Sequence, residues 1–325
     1  MMNALFGRRS AAVALGVLVL LATAALATAA TTPNYKQLKG SITADGSSTV
    51  GPYTTAAAEL FGKAGAKTRI TVGISGTGGG FERFCRGETD LSNASRPMKL
   101  SEAAKCKQSN VGSWRAFTVA NDALTVVVSR SNTWATCLTV AELKKIWEPG
   151  SKVSNWNQVR SSFPNEPLKL FGPGTDSGTF EYFTEAVNGK ARASRSDYSA
   201  SEDDNVLVRG VSGEKGGMGY FGFSYYEENQ NTLKALQIEN PKTGQCVTPS
   251  AQAAQSGAYK PLARPLFIYA KGSSFKRPEV QAFLGFIFAN EVAIAKRARF
   301  IPLTPAQLKR ARITYDLAVK AARRS

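Results

Sequence analysis

No histidine occurs in the 325 residues of this chain. That absence excludes a Ser-His-Asp or Cys-His nucleophile system and any histidine-bearing zinc site. Cysteine is scarce: there are four, and none stands in a C-x-x-C spacing, which argues against a thiol redox motif or a zinc ribbon. No cofactor and no metal is expected. Acidic residues are short as well, 24 Asp and Glu against 41 Lys and Arg, so the net charge is +17. Internal repeats and low-complexity linkers are lacking. What is present suffices for packed cores: 43% of residues are hydrophobic and 10% aromatic, which excludes wholesale disorder. At about 150 residues per domain the length suggests roughly two domains.

The positive balance speaks of partners rather than of fold and favours anionic ligands: nucleic acid, phospholipid or small oxyanions. The charges are dispersed except towards the C-terminus, where Lys296, Arg297, Arg299, Lys309, Arg310, Arg312, Lys320, Arg323 and Arg324 gather. Such a run reads as a solvated basic face on terminal helices.

The N-terminus has the plan of an export signal over residues 1–29. Arg8 and Arg9 form a positive start, Ala11 to Ala30 carries no charge, and Ala27-Thr28-Ala29 fits a small-x-small cleavage site shortly before Pro33. The mature chain is then periplasmic or secreted. A retained membrane anchor is the alternative, since about 20 apolar residues can span a bilayer, but Ala and Thr drive insertion weakly. No cysteine lies near the cleavage site, so lipid attachment is excluded there, and the residues flanking Arg8-Arg9 fit a twin-arginine signal poorly. Cleavage removes two Arg and no acid, leaving 39 − 24 = +15. In an oxidising compartment Cys85, Cys106, Cys137 and Cys246 allow three pairings. Proximity suggests Cys85–Cys106 and Cys137–Cys246; free thiols are the alternative.

Strands and helices alternate along the mature chain, which argues for α/β architecture with mixed sheets. Strands are expected at Ser41–Ala44, Arg69–Ile74, within Phe117–Ser129, at Leu168–Phe171, Gly217–Phe223 and Leu266–Tyr269. Helices are expected at Tyr53–Ala64, from Phe81 onward, at Thr139–Trp147 and at Phe180–Val187.

Three loops at strand-to-helix junctions share one chemistry. Asp45–Val50, Ser75–Gly80 and Thr175–Thr179 are each rich in Gly with Ser or Thr. A helix start exposes unpaired N–H groups and partial positive charge, glycine lets an anion approach the backbone, and hydroxyls add donors. One such loop is an ordinary cap; three in a basic chain point to a convergent oxyanion site. No Lys-Ser/Thr pair follows the glycines, so none is a nucleotide-hydrolysing P-loop. A fourth segment, Asp90 to Pro97, ends in Ser95-Arg96-Pro97, and a guanidinium suits fork-like binding of tetrahedral oxyanions.

At these residues the chain resembles the phosphate-binding proteins of bacterial phosphate ABC importers, the PstS type, and within it the SphX-like branch. The resemblance spans nearly the whole mature chain. It is carried by Asp45-Gly46-Ser47-Ser48-Thr49-Val50, Ser75-Gly76-Thr77-Gly78-Gly79-Gly80-Phe81, Ser95-Arg96-Pro97, Gly172-Pro173-Gly174-Thr175-Asp176-Ser177-Gly178-Thr179-Phe180 and Ala200-Ser201-Glu202-Asp203-Asp204-Asn205. It implies a two-lobed periplasmic-binding-protein fold of type II kind, its lobes joined by two hinge strands. The chain would cross near Phe117–Ala120 and return near Arg264–Tyr269, making lobe I of 33–119 plus 266–325 and lobe II of 120–265. Phosphate would lie between them, held by Ser48, the Thr49 hydroxyl and the Val50 N–H, by Gly76, Thr77 and Gly78 at their helix start, by Ser95, and by Ser177, Gly178 and Thr179. The implied partners are inorganic phosphate and the importer's membrane permease, with no nucleic acid, and the protein is expected to be a monomer.

Two departures matter. The enteric type has Asp where Ser95 stands, and that Asp accepts a proton from the ligand. It also has Arg where Pro173 falls. Arg96 is therefore expected to supply the missing charge, and Asp176, or else Asp45, to take the proton-accepting role.

Rival functions are weaker. Another tetrahedral oxyanion (sulfate, molybdate or arsenate) could be the ligand. A serine hydrolase or phosphoesterase-like enzyme is suggested only by Ser212-Gly213-Glu214-Lys215 and Lys242-Thr243-Gly244. The glycines around Ser212 make a helix start costly there, about 1 kcal/mol each, and the S-D-N element is missing, so no catalytic residue is assigned. Gly217–Gly222 matches G-x-G-x-x-G but reads as a strand. A nucleic-acid binder would need aromatic interleaving among the cations and fits poorly with export.

Overall fold

The computed structural model describes residues 34–324 except Asn110 and Asp176, so the expected export signal lies outside the described residues. Residues 34–325 form one compact unit. Its elements in order are β1 (Ser41–Gly46), α1 (Gly51–Lys63), β2 (Arg69–Val72), α2 (Gly76–Cys85), β3 (Leu91–Ala94), α3 (Leu100–Gln108), β4 (Trp114–Ser129), β5 (Cys137–Leu138), α4 (Val140–Trp147), α5 (Trp156–Val159), β6 (Lys169–Gly172) and α6 (Gly178–Asn188). There follow β7 (Ser199–Ala200), α7 (Asp204–Gly213), β8 (Gly217–Gly222), α8 (Phe223–Glu228), β9 (Leu233–Ala235), β10 (Gln237–Glu239), β11 (Cys246–Val247), α9 (Ala251–Ser256), β12 (Ala263–Lys271), α10 (Pro278–Ala289), α11 (Glu291–Arg297) and α12 (Pro305–Ala322).

Nine strands make one mixed sheet in the order β2-β1-β3-β12-β4-β8-β6-β7, with β9 added along β4. β1 runs parallel to β2 and β3, and β6 runs parallel to β7 and β8. β12 is antiparallel to both β3 and β4. β4 is the spine: it has 16 residues and is buried almost continuously from Phe117. Its first half pairs with β12 and its second with β8, and the β4–β12 register slips between Leu266 and Phe267.

There are two main hydrophobic cores: β4 gives Phe117, Val119 and Ala120 to one and Ala123, Leu124, Val126 and Val128 to the other. One gathers Ile42, Tyr53, Phe61 and Phe117 with Phe283 and Ile287 of α10. The other gathers Trp147, Trp156, Phe183 and Tyr220. In the second, Phe183 stacks on Tyr220 at 3.7 Å between centroids and Trp147 meets Tyr220 edge-on at 4.9 Å. Such aromatic pairs add about 0.5–1.5 kcal/mol each beyond the area they bury.

A separate three-stranded sheet, β11-β10-β5, is clasped by the Cys137–Cys246 disulfide between its outer strands. Cys85–Cys106 ties α2 to α3. Both pairings are those that sequence proximity suggested.

The structure departs from the sequence reading at the glycine run. Residues 76–80, expected as a loop before a helix at Phe81, are already the first turns of α2. Close packing overrides the poor helix propensity of glycine. A Cβ on Gly80 would lie 2.4 Å from the Gly46 Cα at the end of β1, so only glycine lets α2 sit this near the strand. Gly46 itself has φ +140°, and a Cβ there would be 2.1 Å from the Asn93 carbonyl oxygen. The tips of β1 and β3 and the start of α2 are thereby pressed together.

Candidate functional site

Where those tips meet α6, a cleft of about 220 Å³ opens. Four segments expected to converge do so. Ser48 and Thr49 line it from the β1–α1 loop, Gly76, Thr77 and Gly78 from the start of α2, Ser95 and Arg96 from the end of β3, and Gly178 from the start of α6. The Thr77 and Ser95 hydroxyls are 3.0 Å apart, and the Thr77 Oγ1 also accepts from the Ser95 N–H at 3.2 Å. Gly178 abuts the opposite loop: a Cβ there would stand 2.7 Å from Thr49 Oγ1 and 2.8 Å from the Thr49 nitrogen.

Other expected residues stand elsewhere. Val50 is fully buried in the core beside α1, with its N–H 3.4 Å from Ser47 Oγ. Ser177 caps α6, its Oγ accepting from the N–H groups of Thr179 and Phe180, and neither Ser177 nor Thr179 lines the cleft. Asp176 lies outside the described residues. Asp45 is 1% exposed and does not line the cleft, its oxygens taken by the Gly46 and Ser75 N–H groups and by Arg83. It latches the β2–α2 connection to β1.

Arg96 reaches the cleft in company. Its guanidinium holds the Glu102 carboxylate through two bonds of 2.9 and 2.7 Å and lies over the Phe81 ring. Burial opposes ionisation of Glu102, but the bonds from Arg96 and from the Lys99 N–H overcome it and leave its pKa below the ordinary carboxylate value. Much of the Arg96 charge is therefore answered within the protein.

A second guanidinium was missed by the sequence reading as a site group. Arg264 projects from β12, 11% exposed, and lines the cleft. Its Nη2 donates to Thr49 Oγ1 at 2.9 Å, its Nε to Asp122 Oδ2 at 3.3 Å, and its plane lies 3.5 Å from the centroid of the Tyr182 ring. Burial pushes the Asp122 pKa up and Arg264 pulls it back, with burial prevailing. Burial likewise raises Tyr182, whose hydroxyl donates to the Pro261 carbonyl.

The cleft also holds carboxylates that the sequence reading did not select. Glu181, in the first turn of α6, accepts from Ser48 Oγ at 3.4 Å, and Glu185 follows one turn later. An acid in a first helical turn looks like an ordinary dipole partner, so no local signal marked Glu181. Lys99, just beyond Pro97, completes the polar rim.

The arrangement can hold a small tetrahedral anion: a buried guanidinium, a second that is partly answered, hydroxyls from several segments, two helix starts and one carboxylate able to accept a proton-bearing oxygen. The enzyme signatures do not assemble. Ser212 ends α7 rather than opening a helix and donates to the Arg209 carbonyl, while Lys215 pairs with Glu166 at 3.2 Å. The G-x-G-x-x-G match is β8. Among the described residues no cluster of three acids or cysteines could hold a metal ion.

Residues 25–291 match a PBP superfamily domain. The chain is 50% identical over 264 residues to the protein SphX of Synechococcus elongatus, covering 81% of this chain and 77% of that one. It is 36% identical over 269 residues to the phosphate-binding protein PstS of Staphylococcus epidermidis, covering 82% and 80%. Among solved structures, a possible phosphate-binding protein from Planctomyces limnophilus superposes with a TM-score of 0.83 at 46% identity, over 87% of this chain and 99% of that one.

Proposed function

The chain belongs to the PBP superfamily, among relatives named SphX and PstS, and from that membership we propose that it binds inorganic phosphate in this cleft and delivers it to the membrane permease of an ABC importer. The observation that carries the reading is the Arg264 guanidinium, held by Asp122 and Tyr182 beside hydroxyls and helix starts drawn from distant segments. A fixed, nearly buried cation among donors is what a dianion leaving water requires. The resemblance placed the missing positive charge on Arg96; we assign the larger share to Arg264.

Ser48, Thr49, Thr77, Ser95 and the start of α6 at Gly178 surround the ligand as donors in this reading. Ser177 and Thr179 shape that start from behind, and Val50 anchors its loop in the core. Glu181, in place of Asp176 or Asp45, is the carboxylate that accepts the ligand's proton in this reading. Sulfate has no proton to offer, so two acceptors would face each other without a donor, a loss of about 1–3 kcal/mol or more in a dry site. The halves divided at the β4–β12 slip act as the lobes, 33–119 with 266–325 and 120–265, and β4 and β12 as the hinge. Export by the N-terminal signal belongs to the same proposal; no helix among the described residues is long and apolar enough to cross a membrane.

Thermal unfolding against an oxyanion panel tests the function. Phosphate at 100 times its Kd raises stability by about 2.7 kcal/mol if it binds the folded state alone. A shift with phosphate and arsenate, and little with sulfate or molybdate, is expected. No shift with phosphate, in protein refolded free of bound ligand, overturns the proposal.

A further inference from the structure

We propose that the outer face of α12 docks on a lipid bilayer bearing anionic headgroups. The helix packs Ala311 and Ala318 inward. Its exposed positions carry Lys309, Arg310, Arg312 and Lys320, with Asp316 as the single acid, and Arg323 and Arg324 follow directly after its last residue. Of these cations, Arg312 is engaged, donating to the Phe288 carbonyl at 2.8 Å. The other five form no ion pair within the described residues, although acids neutralise many arginines elsewhere on this protein. Among them, one turn apart, stand Ile313 and Leu317, 49% and 59% exposed.

At 3.6 residues per turn, Ile313 and Leu317 fall between Lys309 and Lys320 on one side and Arg310 on the other. An exposed aliphatic pair ringed by cations is poorly matched to a nucleic acid, which favours aromatic stacking and charge. It suits a bilayer interface, where aliphatic side chains enter the acyl boundary and lysine and arginine meet headgroup phosphates.

The position fits as well. Near its C-terminal end the helix borders a recess that Arg115 and Lys276 line against Ala318 and Ala321, which places that end beside β4. This recess lies at the Trp114 end of β4, which pairs with Lys271. Ser95, in the cleft, follows the opposite end of β3, where Ala94 pairs with Phe267. Docked through α12, the protein keeps its cleft away from the membrane surface.

Sedimentation with vesicles tests this, using the compact unit 34–325, which contains both main cores and both disulfides. Vesicles with about a third phosphatidylglycerol in phosphatidylcholine should bind at least tenfold more protein than phosphatidylcholine alone at low salt, and the excess should fall at physiological salt. Combined Lys309→Glu, Arg310→Glu and Lys320→Glu should abolish the excess; Ile313→Ser with Leu317→Ser should lower it severalfold. Saturating inorganic phosphate should leave it unchanged. Equal partition of wild type and the charge-reversed variant overturns the proposal. So does displacement by phosphate, which would place headgroups in the cleft, or equal retention on duplex DNA with no effect of the two serine substitutions.

Discussion

Replacing Arg264 by Ala is the most informative single perturbation, because this side chain joins three parts of the cleft. Its Nη2 bonds Thr49, its Nε bonds Asp122, and its plane covers Tyr182. Truncating one partner of a buried, hydrogen-bonded charge pair costs about 2–5 kcal/mol. For binding this corresponds to roughly 30- to several-thousand-fold weaker phosphate affinity at about 1.4 kcal/mol per tenfold. Part of the loss is shared with folding, since Asp122, 6% exposed, is left unpaired. Its pKa is already raised by burial, so protonation softens that penalty. The double variant Arg264→Ala, Asp122→Asn removes the orphaned charge, so it should regain stability without regaining affinity. Arg264→Lys keeps the charge but loses the fork and the ring contact, and should fall between. Arg96→Ala should weaken binding by about tenfold, less than Arg264→Ala, because Glu102 already holds the Arg96 fork at 2.7 and 2.9 Å. Calorimetric titration with phosphate decides it. Wild-type affinity in Arg264→Ala, or a larger loss in Arg96→Ala, refutes the assignment of the main cation.

The remaining predictions concern other parts of the molecule. Glu181→Gln should keep phosphate binding measurable and narrow the phosphate-to-sulfate preference in competition binding; an unchanged ratio removes Glu181 from the selection. Gly178→Ala should weaken phosphate binding by at least tenfold with little change in Tm, since its Cβ would meet the Thr49 backbone nitrogen at 2.8 Å; a harmless substitution would show that α6 need not approach that loop. Glu291 is 2% exposed, and burial lifts its pKa from 4.5 to about 7, with the Leu303 N–H and Arg312 opposing the rise and Tyr53 nearby. The protonated form is therefore favoured on folding: its contribution is full below pH 4.5 and is lost as pH rises through 7, in total about 3 kcal/mol at about 1.4 kcal/mol per tenfold. Glu291→Gln should flatten that part of the denaturation profile, and an identical slope would locate the titration elsewhere. Opening Cys137–Cys246, 109 residues apart, should destabilise by about 4–5 kcal/mol, and opening Cys85–Cys106, 21 apart, by about 3 kcal/mol; equal Tm losses in the two Cys-to-Ser pairs would contradict the loop-length argument.

The parts of the site legible in the sequence are those whose chemistry is local. A strand ending in Gly, Ser and Thr before a helix advertises exposed N–H groups wherever it lies, and Ser48, Thr77 and Gly178 were found in that way. The cysteine pairs were legible because pairing in order along the chain, Cys85 with Cys106 and then Cys137 with Cys246, coincided with contact. Arg264 was not, because nothing beside it in β12 marks an anion site; its meaning comes from Thr49, 215 residues away. Glu181 was hidden by the ordinariness of an acid in a first helical turn. Asp45 misled in the opposite direction: a carboxylate beside a hydroxyl-rich loop looked available, and only the fold shows its oxygens committed to Ser75, Gly46 and Arg83. The glycine run misled about structure, since propensity argues against a helix that Gly80 makes possible by its closeness to Gly46. Each miss is a long-range contact overriding a local rule.

A crystal structure of the protein grown with inorganic phosphate tests the central claim most directly. Tetrahedral density is expected between the two halves, within hydrogen-bond distance of Arg264, Thr77 and the start of α6, with one oxygen facing Glu181. An empty cleft at saturating phosphate, or an anion bound away from Arg264, would contradict it.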